Sequence, residues 1–136
     1  MTNVSKQKLP RKEFSRLYAQ LNAVIARLDK SSSAKFFNEL LGEEEKIMLT
    51  KRLAAVVMFI EDNSPYRVAQ LLKLSPSTAE SIHHDFENGR YQAIVDFITK
   101  RREEYEKFWR MLEIVLRAGM PPRGRGRWKS VLKRIG

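Results

Sequence analysis

The sequence predicts an all-α protein, and three observations support this fold class. Apolar residues recur at intervals of three and four over most of the chain, the period of a helix with one buried face. Helix-starting Ser-Pro pairs and helix-ending glycines separate these apolar stretches. The alternation of apolar and polar residues that indicates strands is not found. At 136 residues the chain is long enough for one hydrophobic core.

The first three predicted helices lie in the N-terminal half of the chain. The first covers residues 13–29, and the second covers residues 34–41 with Ser32 or Ser33 as its N-cap. The third covers residues 43–61 and starts with three glutamates, whose charge suits the positive end of a helix dipole. Its second half is apolar on most sides, so we expect it to be the central core helix.

Two short helices joined by a tight turn are predicted within residues 64–88. Ser64 and Ser75 are good N-caps, and each precedes a proline at the first helical position. The first helix ends near Lys73, and Asn88-Gly89 ends the second. Such a turn usually contains glycine, because a left-handed backbone strains a residue such as lysine.

This pair of helices is typical of a helix-turn-helix, in which the second helix lies in the major groove of DNA. In the second helix Ala79, Ile82 and Phe86 form one apolar face, and polar side chains lie toward the other side. The recognition helix would then cover residues 76–88. The alternative is an ordinary helical hairpin in an all-α core.

The last predicted helix covers residues 91–117, with a charged stretch in its middle, and Gly119 and two prolines end it. The domain organisation that follows is a basic, disordered arm at residues 1–12, a helix-turn-helix domain at 13–98 with its motif at 64–88, a helical extension at 99–118, and a basic Arg/Gly tail at 119–136.

The net charge of +10 is concentrated at the two ends of the chain. Residues 1–12 carry four basic side chains and residues 117–136 carry seven, with no acid in either segment. Residues 13–116 are nearly neutral, with 15 basic and 16 acidic side chains. Basic ends suit a polyanion such as nucleic acid, although a basic tail also serves solubility alone.

Three segments follow one another in a characteristic order: LYAQLNAVIARL, SSAKFFNELLGEEE and LTKRLAAVVMFIEDNSPYRVAQLLKLSPSTAESI. Their order and spacing resemble those of the Trp repressor superfamily over about residues 14–98, closest to its smaller bacterial relatives. The resemblance implies an intertwined homodimer that binds operator DNA and regulates transcription, as a repressor does. The large apolar residues of the first two helices also predict burial against a second copy; they are Phe14, Tyr18, Phe36 and Phe37.

The resemblance also bears on a corepressor. In the tryptophan-binding repressor of this superfamily two arginines hold the indole ring, and their positions correspond to Arg52 and Ser81. Ile82 stands where a glycine admits the ligand, and Asp85 stands where a serine lies near its amino group. Thr78 matches a threonine of that site. We therefore do not expect tryptophan as corepressor and predict no cofactor; Arg52 and Thr78 remain candidate ligand residues for an effector that stays open.

The candidate DNA-binding residues on the two short helices carry hydroxyl, carboxylate, imidazole or basic groups that hydrogen-bond base edges or phosphates. The resemblance adds Pro76, because base-contacting positions of the superfamily correspond to Pro76, Ser77 and Glu80. Residues 64–90 have no net charge, so we expect the basic ends to supply most of the affinity for the DNA backbone. The full set on these helices is Arg67, Lys73, Pro76, Ser77, Thr78, Glu80, Ser81 and His84.

Three further candidates, Arg123, Arg125 and Arg127, lie in the tail. An Arg-Gly-Arg segment resembles the core of an AT-hook, whose arginines enter a narrow A·T minor groove. A tail that binds phosphates would use the same residues. Both interpretations stay open.

Chemistry other than binding has little support in the sequence. His83 and His84 point about 100° apart on a helix, and without cysteine no metal site is predicted. No pairing of nucleophile and base is apparent, so we expect no enzyme activity. No apolar run approaches the ~20 residues that cross a membrane, and the start lacks a signal peptide. The expectation is a cytoplasmic, nucleoid-associated protein that binds double-stranded DNA as a homodimer.

Two alternatives remain at this point. The first is a basic protein associated with RNA or the ribosome, whose Arg-Gly tail orders on RNA. The second is a structural dimer that has lost DNA binding and docks another protein, which the neutral recognition helix favours.

Overall fold

The computed structural model describes residues 7–117, without the side chains of residues 102 and 115–117. Over this range the chain is all-helical, as predicted, and contains no strand. None of the helices described is long and apolar enough to cross a membrane. The seven helices are α1 (Arg11–Ile25), α2 (Lys30–Leu40), α3 (Glu43–Ile60), α4 (Pro65–Leu72), α5 (Pro76–Glu87), α6 (Gln92–Lys100) and α7 (Arg102–Arg117).

The chain divides into two compact units between Leu49 and Thr50. In the first unit α1 begins at Arg11, two residues earlier than predicted, and the carbonyl of Pro10 accepts the N–H of Phe14 at 2.9 Å. It ends at Ile25, four residues before the predicted end. The following residues form a turn instead of a last helical turn.

The N-cap of α2 is Asp29, so the prediction of Ser32 or Ser33 was wrong. Asp29 Oδ1 accepts the N–H of Ser32 at 2.8 Å, and Ser32 Oγ accepts the N–H of Asp29 at 2.9 Å. This reciprocal pair is a capping box, in which Ser32 holds the third helical position. The bonds from Ser32 stabilise the carboxylate and lower the pKa of Asp29.

The apolar face of the first unit is exposed in the residues that the structure describes. No side chain between residues 7 and 49 is buried. Phe14 and Leu17 are 56% and 59% exposed, and the ring of Phe14 stacks on that of Tyr18 at 5.9 Å between centroids. Phe36 and Phe37 of α2 are half-buried and meet edge to face at 5.3 Å. These are the four large residues whose burial against a second copy was predicted.

The second unit contains a hydrophobic core centred on α3. Residues 54–59 of this helix are all buried, which confirms α3 as the core helix. Helices α4, α5 and α7 pack their apolar faces around it. Their buried residues are Val68, Ala69 and Leu71 of α4, Ala79 and Ile82 of α5, and Tyr105, Trp109 and Leu112 of α7.

The prediction of one helix over residues 91–117 was wrong, because the chain breaks at Arg101 (φ −104°, ψ 73°) and forms α6 and α7. The apolar face of α7 also includes a residue from the charged stretch in the middle of the predicted helix. Tyr105 and Trp109 are buried, whereas Met111 is 66% exposed. Charged neighbours between residues 99 and 107 had hidden the contribution of Tyr105 to this face.

Candidate nucleic-acid interface

The two short helices predicted within residues 64–88 are α4 and α5, called the α4–α5 pair below. Both predicted N-caps are confirmed: Ser64 Oγ accepts the N–H of Arg67, and Ser75 Oγ accepts the N–H of Thr78, each at 3.1 Å. Between the helices Lys73 has a left-handed backbone with φ 56°, as the turn was expected to require. The Nζ of Lys51 on α3 donates to the carbonyl of Lys73 at 3.1 Å and holds this turn.

One face of α5 is anchored in the core of the second unit. Ala79 is fully buried and Ile82 is 5% exposed. The ring of Phe59 on α3 lies 4.7 Å from that of His83 and 5.7 Å from that of Phe86, between centroids. Contacts over about two turns of the helix therefore fix the orientation of α5 against α3.

The opposite face of α5 is polar and exposed, most of all near its N-terminus. Three hydroxyl groups cluster there, with Ser75 Oγ donating to Thr78 Oγ1 at 2.7 Å and lying 3.3 Å from Ser77 Oγ. Thr78 is half-buried in this network. Hydroxyls and free N–H groups at a helix start can hydrogen-bond a phosphate or a base edge. The exposed candidates on this face are Pro76, Ser77, Glu80, Ser81 and His84.

His84 lies near the other end of α5, in the last turn. The Nδ2 of Asn88 lies 3.0 Å from His84 Nε2 and donates to the His84 carbonyl at 2.9 Å. The side chain of Asn88 therefore holds the His84 ring at one of its two nitrogens. His84 is thus more constrained than the serines at the helix start.

The two basic candidates of the α4–α5 pair differ in accessibility. Lys73 is exposed at the turn. Arg67 on α4 is half-buried, and its Nε atom is enclosed without a hydrogen-bond partner in the part of the chain that is described. Lys73 is therefore better placed than Arg67 to meet a phosphate.

Ion pairs reduce the free charge of the α4–α5 pair further. Arg90 lies 3.6 Å from Asp85, and His83 Nε2 lies 3.1 Å from Glu87 Oε1. Glu80 remains as an exposed acid in the middle of the helix. A surface without net charge has little long-range attraction for a polyanion, and carboxylates in a major groove accept hydrogen bonds from cytosine.

The two candidate ligand residues, Arg52 and Thr78, line one surface cavity of about 360 Å³. Ser81, Ile82 and Asp85 line the same cavity, so the positions that differ from the tryptophan-binding repressor are brought together. Of the two clamp positions only that of Arg52 holds an arginine, although Arg90 also lines the cavity. Ile82 places a branched side chain where the ligand needs space. The absence of tryptophan binding stays a prediction. The full lining is Arg52, Ser77, Thr78, Ser81, Ile82, Asp85, Arg90 and Tyr91.

Sequence analysis had missed three contributors to this region: Lys51, which holds the turn, and Arg90 and Tyr91, which line the cavity. No local pattern indicates Lys51, because its partner lies 22 residues away. Arg90 follows the end of α5, and Tyr91 was predicted only as the start of the last helix. Their role arises from the chain folding back beside α5.

Within residues 7–117 no group of three or more His, Cys, Asp or Glu side chains could hold a metal ion. His83, half of the adjacent histidine pair, instead packs on Phe59. Most of the basic arm and all three tail arginines (Arg123, Arg125 and Arg127) lie outside the described residues.

No family model, curated protein or solved structure matches this chain.

Proposed function

We propose that this protein is a homodimeric, sequence-specific DNA-binding regulator of transcription, of repressor-like type, and not an enzyme. The α4–α5 pair acts as a helix-turn-helix, and α5 lies in the major groove. The basic ends of the chain contact the DNA backbone or the minor groove. The resemblance to the Trp repressor superfamily supports the same function.

One observation carries the proposal: α5 is fixed on one side and polar on the other. Ala79 and Ile82 are buried against α3, while Ser77, Glu80 and Ser81 project to solvent from the start of the helix. A recognition helix needs this combination, because base contacts require both free side chains and a rigid support.

The uncovered apolar surfaces support the homodimer. No side chain described between residues 7 and 49 is buried, and helices as short as α1 (15 residues) and α2 (11 residues) are marginal in water unless they are packed. The second unit has an apolar groove of about 480 Å³ that includes Ile94 and Phe97, the latter 60% exposed. A second copy would cover such surfaces, and symmetric dimers commonly bind two DNA half-sites.

Selection from random duplexes tests the proposal. We expect the full chain to enrich one motif, and Ser77→Ala combined with Glu80→Ala to change the preferred bases. Glu103→Ala, which removes an exposed acid on α7, is the charge-matched control and should leave the motif unchanged.

Salt dependence tests the role of the tail separately. Removing residues 118–136 should weaken binding to every duplex and flatten the salt dependence by about 0.9 logarithmic units per lost phosphate contact.

Failure to enrich any motif would contradict sequence-specific binding and favour protein docking. Tighter binding to RNA than to duplex DNA in the same titration would favour the RNA-associated alternative.

A further inference from the structure

The turn between α3 and α4 holds a buried carboxyl group and a residue with a left-handed backbone. Glu61 is only 2% exposed, and burying a carboxyl group is unfavourable unless it is hydrogen-bonded. It also follows the C-terminal end of α3, where the helix dipole disfavours negative charge. Asp62 has a left-handed backbone, with φ 63°. Such costs persist where the surrounding structure holds them, and they cluster at functional sites.

Helix α7 supplies a group that holds this turn. The Tyr105 hydroxyl donates to Glu61 Oε2 at 3.0 Å, and Tyr105 is fully buried. Trp109, one turn further along α7, is 1% exposed and packs in the same core. A buried hydrogen bond between side chains 44 positions apart fixes the relative position of the two segments.

The same turn leads directly into the α4–α5 pair. The amide of buried Asn63 donates to the carbonyl of Met58 at 2.8 Å, and the backbone N–H of Asn63 donates to that carbonyl at 3.1 Å. Ser64, the next residue, caps α4. Glu61 therefore lies two residues before Asn63, whose bonds to Met58 hold the chain where α4 leaves α3.

We propose that α7 clamps the α3–α4 turn and that Tyr105 is a positioning residue, which orients the α4–α5 pair for DNA through its hydrogen bond to Glu61. This inference rests on the proposed function. A dimer reads two half-sites only when both recognition helices are held at the spacing of successive major grooves. Contacts with phosphates alone do not need one fixed orientation.

The clamp predicts that the variant Tyr105→Phe loses affinity for the selected DNA site and keeps its affinity for other duplexes. Without the hydroxyl the α4–α5 pair samples several orientations. The affinity for the operator then falls in proportion to the fraction of molecules in which the pair has the orientation that binds DNA. We expect the ratio of affinities for the selected site and an unrelated duplex to fall about tenfold. The affinity for the unrelated duplex should stay the same. Glu61→Gln keeps an oxygen that accepts from Tyr105 and should preserve the ratio.

Trp109→Phe is the matched control, because it alters the same buried face of α7 and leaves the hydrogen bond in place. It should lower the melting temperature without changing the ratio, provided that binding is measured where circular dichroism shows each variant to be folded. An unchanged ratio in Tyr105→Phe, or an equal fall in both variants, would overturn the proposal.

Hydrogen exchange tests the clamp without DNA. In Tyr105→Phe the amides of residues 65–72 should exchange about tenfold faster, while those of residues 56–58 in α3 keep their protection. Equal protection of α4 in Tyr105→Phe and in the unmodified protein would contradict the proposal that α7 clamps the turn. If the unmodified protein prefers no duplex sequence at all, the proposed function fails, and the exchange experiment alone decides whether Tyr105 positions α4.

Discussion

The two units of the chain contain helices with similar apolar spacing and very different burial. In the first unit α1 shows a clear apolar stripe, yet Phe14 and Leu17 remain more than half exposed. In the second unit α7 has a comparable stripe, and Tyr105 and Trp109 are buried. An amphipathic pattern therefore predicts that a helix needs cover, and it does not say where the cover comes from.

The difference indicates separate tasks for the two units. The second unit brings its apolar faces together within one chain, so it can hold the polar face of α5 in a defined position. In the first unit the apolar face of α1 is exposed in the described residues, and we propose that a second copy covers it. Stability should accordingly depend on the second unit, and association on the first.

The largest effect is expected from Trp109→Ala in the second unit. Removing this fully buried ring should lower the free energy of unfolding by about 3–5 kcal/mol, measured by chemical denaturation. Met111→Ala on the same helix, where the side chain is 66% exposed, should stay within about 0.5 kcal/mol of the unmodified protein. A similar loss in both variants would mean that α7 is not packed as described.

The next effect concerns association. Phe14→Ser combined with Leu17→Ser should raise the dimer dissociation constant by at least about 100-fold, since each apolar side chain that becomes buried contributes about 1.5–3 kcal/mol. Light scattering over a dilution series measures it. Gln20→Ser, an exposed polar change on the same helix, is the control. A monomeric mass for the unmodified protein at micromolar concentration would contradict the dimer.

A smaller effect, an increase in the free energy of unfolding, is expected at the turn between α4 and α5. Lys73→Gly should raise the free energy of unfolding by about 0.5–1 kcal/mol, because glycine adopts a φ of 56° without strain. Gln70→Gly, within α4, should lower it by about 1 kcal/mol. Equal destabilisation by both glycines in thermal melts would show that Lys73 is not strained.

The smallest effect is the pH response of the capping box in the first unit. Hydrogen bonds from Ser32 lower the pKa of Asp29 below its ordinary value of 3.8. The cap therefore stabilises α2 fully above that value, and the contribution disappears as the pH falls through the lowered pKa. An NMR titration of the Asp29 carboxyl group measures this. Ser32→Ala should move the pKa part of the way back, and no change would contradict the side-chain bond.

Much of the local structure could be predicted because its causes lie close together in the sequence. The start of α3 and the ends of α4 and α5 followed from caps, prolines and glycines, and the left-handed Lys73 followed from the length of the turn. Where two local signals competed, prediction failed. Asp29 and the serines after it can all cap a helix, and the sequence does not say which geometry closes the better capping box.

The sequence by itself determined the helices, the central position of α3 and the segment that carries the polar face of α5. Only the tertiary structure shows which apolar faces are buried. It also shows that the last predicted helix is interrupted at Arg101 and that Tyr105 hydrogen-bonds Glu61. It also brought Arg52 beside Thr78 and Asp85. The physical reason is that such contacts join residues far apart in the chain, and their formation depends on how whole helices pack rather than on any local pattern.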